Sequence, residues 1–282
     1  MVNALGINLW NWTTVLNEDC CGLPDKIRKL GFTAIELPMT TTEIPLKLKE
    51  EIIASGLRVS LCASLGPGRD LSNFDEDVRK STMEYLKNSI KNGSELGAEV
   101  FCGPLYTGGG KKHWLDDDKK KREWDYAVTG LKTLSYYAKE YGIKISLEPL
   151  NRYRTSVANT VKQVLDMIED IDAENVGLHY DTYHACLEEK NLIDSLEYAL
   201  RSGKLNHFHA CSNNRGAPGQ GIIPWNTVFD KLVEYGYQGH ITMETFAFKS
   251  LDSSWINVHG DPDELAKTGI TYLKNYFGKK QI

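Results

Sequence analysis

Residues 176–211, "VGLHYDTYHACLEEKNLIDSLEYALRSGKLNHFHAC", carry the pattern that decides the fold. The apolar runs "VGLHYDT" (176–182) and "LNHFHAC" (205–211) read as strands, and 191–201 between them reads as a helix. The first strand ends on Asp181, and the second carries two histidines, His207 and His209. The runs are continuous rather than alternating, as expected of strands covered on both faces.

The same unit recurs in both directions along the chain. Towards the N-terminus, strands are expected at 4–10, 32–38, 57–64, 98–105 and 143–150. The helices expected between them cover 22–31, Glu43–Ser55, Asp75–Leu96, Glu123–Tyr141 and 159–170. Towards the C-terminus come a helix at 225–235, a strand "GHITMETF" at 239–246 and a last helix at 262–277. Eight strands, each followed by a helix, within 282 residues predict an α/β fold, a single-domain (β/α)8 TIM barrel over 1–282. A doubly wound open sheet competes, but there is no GxGxxG after the first strand and no composition break that would start a second domain.

Composition narrows the function. A chain 41% hydrophobic and 25% charged is an ordinary globular protein. Its net charge of -5 argues against a nucleic-acid binder, which would carry a basic face. No apolar run approaches the roughly 18 residues of a membrane span, and the start "MVNALGINLWNW" lacks signal-peptide features, so a cytoplasmic location is expected. Six cysteines without a CxxC pair are expected to be reduced and mostly packed. "GGGKK" (108–112) lacks the spacing of a phosphate loop.

In a barrel, chemistry sits at the C-terminal ends of the strands. The fifth strand ends with Glu148, the sixth with Asp181 and the eighth with Glu244, and the seventh carries His207 and His209. One such carboxylate commonly caps a helix or pairs with a base; four consecutive strands each delivering an acid or imidazole suggest a divalent-metal site. Three carboxylates and one imidazole suit Mn²⁺, Mg²⁺ or Co²⁺ better than structural zinc. His209, nearer the mouth, is the better ligand; His207 and His179 are expected to be core histidines. His184 lies three residues past Asp181, in a loop. Trp10, Trp12, Trp114 and Phe246 are aromatics that could cover a ligand, with the glycine-rich loop before Trp114 as a possible lid.

"LEPLNRY", "DTYHACLEEKN", "HFHACSNNRGAPGQGIIPW" and "GYQGHITMETF", in that order, resemble the sugar isomerase and epimerase barrels, above all the ketose 3-epimerases. "GPLYTGGG" and "RKSTMEYLKNSIKNGSELGAE" extend the resemblance over nearly the whole chain. It implies an isomerase of small keto sugars, with Mn²⁺ as cofactor held by Glu148, Asp181, His209 and Glu244. It further implies Glu148 and Glu244 as the catalytic acid/base pair, substrate contacts at His184 and Arg215, and a homo-oligomer.

One departure stands out. The group usually reads "NRFE" after the metal-binding glutamate, whereas this chain reads "NRYRT", placing Arg154 where a substrate-contacting carboxylate is expected. A guanidinium only donates hydrogen bonds and carries positive charge. This keeps open a second enzyme class, acting on 3-oxo-glycosides by epimerisation or by elimination of the aglycone, where a heteromeric partner would fit. A non-catalytic metal- or sugar-binding barrel is a third reading. A zinc-cluster nuclease on the same barrel is disfavoured by seven histidines in all and the acidic balance.

Overall fold

A computed structural model describes residues 4–66, 68–246 and 260–278. The strands are β1 (Ala4–Asn8), β2 (Ala34–Pro38), β3 (Arg58–Cys62), β4 (Ala98–Gly103), β5 (Lys144–Leu147), β6 (Val176–Asp181), β7 (Leu205–Ala210) and β8 (His240–Met243). All are paired in parallel in chain order, and β8 closes on β1, with Leu5 opposite Ile241. This is the closed (β/α)8 barrel expected. Helices α1 (Leu23–Leu30), α2 (Leu46–Ser55), α3 (Glu76–Ser94), α4 (Asp117–Glu140), α5 (Val161–Ile171), α6 (Thr182–Glu188), α7 (Leu192–Arg201), α8 (Trp225–Glu234) and α9 (Pro262–Gly278) complete it.

The element ends follow from local chemistry. Asp116 accepts from the Lys119 N–H and starts α4 six residues before the predicted Glu123. Thr160 and Gln163 form a reciprocal capping box on α5. Asp181 both ends β6 and caps α6, accepting from the Tyr183 N–H at 2.7 Å. His184 therefore lies on a short helix, not in a loop.

Side chains alternate along each strand. One set, including Ile7, Ile35, Leu37, Leu61, Phe101, Ile145, Phe208 and Ile241, packs with the helices in the main apolar core. The other set fills the barrel, and here it is unusually polar: Asn8, Glu36, Ser60, Ser146, His179, His207 and Thr242 are all fully buried. Branched apolar side chains are the usual filling, so this interior is built for something other than stability. The six cysteines are unpaired, four of them buried. Among the described residues no helix is long and apolar enough to cross a membrane.

Candidate active site

A cavity of about 270 Å³ opens at the C-terminal ends of the strands. Its walls include Glu148, Glu244, His184, Arg215, Arg154, Trp10 and Phe246. Glu148 and Glu244 each directly follow a strand, β5 and β8. Asp181 is the last residue of β6, and His209 lies one residue before the end of β7. The barrel thus brings the four strand-end residues to one mouth, all of them buried.

Arg215 sits among the carboxylates. Its Nη1 donates to Asp181 Oδ2 at 3.1 Å and to Glu244 Oε2 at 2.7 Å. Its guanidinium lies 3.7 Å from the centre of the Tyr183 ring and 4.8 Å from that of Phe246. Arg215 holds φ at 63°, a left-handed conformation that a non-glycine residue adopts at some cost. Such strain is retained where the side chain must reach one particular place.

His184 is fixed from behind. Its Nδ1 accepts from the Asn151 backbone N–H at 3.1 Å, which leaves Nε2 facing the cavity, 3.9 Å from both Glu148 Oε1 and Asp181 Oδ2. Burial, with Arg215 and Arg154 nearby, holds His184 well below the ordinary histidine range, so it is neutral. Trp10 and Phe246 stack at 5.3 Å to form an apolar wall.

Three buried carboxylates meet one guanidinium in this mouth, and two of them, Glu148 and Asp181, are pushed up by burial and by neighbouring negative charge. Burial, then the charges of Asp181 and Glu244, push Glu148 well up. Burial, with Glu244 and against Arg215, pushes Asp181 up to about 7. A divalent cation held here would offset that negative charge. Ligand atoms of Glu148, Asp181 and His184 lie within 4.8 Å of one another, as do those of Asp181, Cys211 and Glu244. His209 Nδ1 makes no hydrogen bond and lies 3.3 Å from Glu244 Oε1. The donor set therefore fits an oxygen-preferring divalent ion. A deeper set, Cys102, His179, His207 and His209, also converges within 4.8 Å, below the mouth.

Two residues differ from expectation. Trp114 is not brought to the cavity: it is 89% exposed, beneath Lys120. The reason is Lys111, whose Nζ is held by Asp70 at 2.8 Å and Glu123 at 2.5 Å. The loop crosses the cavity at Gly109 and Gly110 and then carries Trp114 outward. Glu36 is the residue that sequence reasoning missed. Its Oε1 lies 2.7 Å from His209 Nε2, and its Oε2 lies 2.7 Å from His207 Nε2. Burial would raise its pKa, but the imidazoles of His209 and His207 outweigh burial and hold it well below the usual carboxylate range. A lone glutamate inside the apolar strand "AIELP" was the available signal, because a buried charge needs partners.

Comparison with known proteins identifies the family. Residues 24–276 match the xylose isomerase-like TIM barrel family. A D-psicose 3-epimerase of Ruminiclostridium cellulolyticum is 30% identical over 256 residues, 86% of this chain and 83% of that protein. A probable ketose 3-epimerase of Synechocystis sp. is 29% identical over 89% of this chain and 88% of its own length. The crystal structure of a D-allulose 3-epimerase from Methylomonas sp., in complex with D-allulose, superposes with a TM-score of 0.90 at 25% identity, covering 98% of this chain and 97% of that one. The chain belongs to the xylose isomerase-like TIM barrel family and, within it, to the ketose 3-epimerase group.

Proposed function

We propose that this chain is a divalent-metal-dependent carbohydrate epimerase that inverts C3 of a small ketose. The observation that carries this reading is that Glu148 and Glu244, delivered by different strands, open into the same small cavity. Epimerisation beside a ketone removes a weakly acidic C–H proton and passes through an enediolate. A divalent ion held by Glu148, Asp181, His209 and Glu244, with Mn²⁺ the first choice, would supply a Lewis acid for the ketone and the neighbouring hydroxyl.

The chain's own residues do the rest. Of Glu148 and Glu244, one takes the proton from one face of the sugar and the other returns a proton to the opposite face. Neutral His184, with Nδ1 satisfied by Asn151, presents Nε2 beside Arg215 Nη2, 3.3 Å away, so that the two groups together face a substrate oxygen. Arg215 bridges Asp181 and Glu244 and presents its charge to the sugar's oxygens. Trp10 and Phe246 cover the ring and exclude water. At about 270 Å³ the cavity sits at the small end for ligand pockets, which suits a free sugar. The same reading takes the 282 residues as one domain, cytoplasmic and assembled as a homo-oligomer.

One observation favours a second reading. Arg154 is on the cavity wall, and a donor there suits a carbonyl-bearing 3-oxo-glycoside. One experiment tests both. The Mn²⁺-loaded protein is incubated in D₂O with free ketoses and with 3-oxo-glucosides, and C–H signals are followed by NMR. Deuterium entering C3 of a ketose, with a new epimer, is expected. Exchange confined to the 3-oxo-glucosides moves the assignment to that class, and exchange with neither overturns both.

A further inference from the structure

We infer that Glu36 is a positioning residue for the metal: it holds the hydrogen of His209 on Nε2 and so reserves Nδ1 as the coordinating atom. The inference rests on the metal reading above and adds to it a residue and an atom.

Glu36 is fully buried on β2, yet it gathers polar groups from four other strands. Asn8 of β1 donates its Nδ2–H to Oε1 at 2.8 Å. The orientation of that amide is not free, because Asn8 Oδ1 accepts the Trp10 backbone N–H at 2.8 Å. Ser60 of β3 donates to Oε2 at 2.8 Å, and Cys102 of β4 donates its S–H to the same oxygen at 3.5 Å. His207 and His209 of β7 complete the ring of contacts, each 2.7 Å away.

Asn8 Nδ2, its amide orientation fixed by the Trp10 N–H, can only donate to Oε1, the same oxygen that faces His209. An oxygen so engaged meets the ring nitrogen as an acceptor. His209 Nε2, at 2.7 Å, therefore carries a hydrogen. Its other nitrogen, Nδ1, makes no hydrogen bond and points to the mouth, 3.3 Å from Glu244 Oε1. An imidazole with one nitrogen committed to a carboxylate is held in one orientation and one tautomer, and its free nitrogen is a better donor to a metal. A glutamate that only filled space would not need this many donors in the barrel interior, where an apolar side chain would cost less.

The experiment combines affinity with a direct view of the ring. Mn²⁺ affinity is measured by electron paramagnetic resonance of the free ion for the wild type and for Glu36→Gln, alongside far-ultraviolet circular dichroism. The neutral amide weakens the contact to His209, and Kd is expected to rise roughly ten- to hundredfold with the fold intact. In ¹⁵N-histidine spectra of the Mg²⁺-loaded wild type, Nε2 of His209 is expected to carry the hydrogen. A variant whose Kd stays within about twofold of wild type, even with lowered thermal stability, makes Glu36 a structural residue and overturns the inference. So does a hydrogen found on Nδ1. If the variant fails to fold, the wild-type spectrum decides alone. Failure of the wild type to bind Mn²⁺ overturns the metal reading itself, a different result from an unchanged variant.

Discussion

The backbone N–H of Glu148 donates to the carbonyl oxygen of Gly103 at 3.1 Å, so the end of β5 is tied to the end of β4 beside the mouth. Gly103 holds φ at 118°, and a Cβ there would lie 2.3 Å from the carbonyl oxygen of Ala63. Gly103→Ala therefore combines backbone strain with a clash against main chain, and a loss of about 2–4 kcal/mol is expected. Gly142 shares a positive φ but has open space, so Gly142→Ala should cost only about 1–2 kcal/mol. Urea unfolding of the two variants checks the difference.

Glu148→Gln and Glu244→Gln keep the shape of the side chain and remove its basicity. Each is expected to lower turnover about 100-fold or more, as loss of a general base does. Epimer formation measured by NMR, with circular dichroism to confirm folding, is the check. A variant that retains metal and turns over within about tenfold of wild type removes that residue from the acid/base pair.

The aromatic candidates separate by position. Trp114 is exposed and outside the cavity, whereas Phe246 is buried and lines it. Trp114→Ala should leave both kcat and KM unchanged. Phe246→Ala removes part of the apolar wall, and KM is expected to rise roughly tenfold, the equivalent of about 1.4 kcal/mol. Steady-state kinetics on both variants decide.

At the opposite end of the barrel, Glu99 accepts from Arg58 Nε at 2.7 Å and Nη2 at 2.5 Å, with His240 Nε2 3.4 Å away. Arg58, then His240, hold the Glu99 carboxyl well below its usual range despite partial burial. A folded value below the unfolded one adds stability that is present above the unfolded value, about 4.3 for Glu, and is lost as pH falls through the folded value. Glu99→Gln should therefore melt below the wild type at neutral pH. The gap is worth under about 1 kcal/mol because the pair is partly exposed. It should narrow progressively below about pH 4, as read by thermal melts across pH.

The strand order was legible because each strand carries apolar residues towards the helices and a helix follows it, and the strand-end residues were legible because a barrel presents chemistry at one face only. Glu148, Asp181, His209 and Glu244 could thus be placed together before any contact was known. Helix α6 was not legible: its seven residues are too few to show a period, and it starts only because Asp181 caps it. Trp114 was misplaced because the course of its loop depends on Lys111 reaching Asp70 and Glu123, contacts distant in sequence. Glu36 was overlooked because it lies inside β2 rather than at its end. Its role exists only once β1, β3, β4 and β7 have gathered around it.

The closure of β8 on β1 also orders events in time. Glu148, Asp181, His209 and Glu244 arise in that order in the second half of the chain, and the last of them takes its place only when the eighth strand docks against the first. A chain still missing its C-terminal segment lacks Glu244 and leaves the edge of β1 open. The mouth is therefore a product of closure: its last carboxylate and the seam that walls it arrive with the same strand.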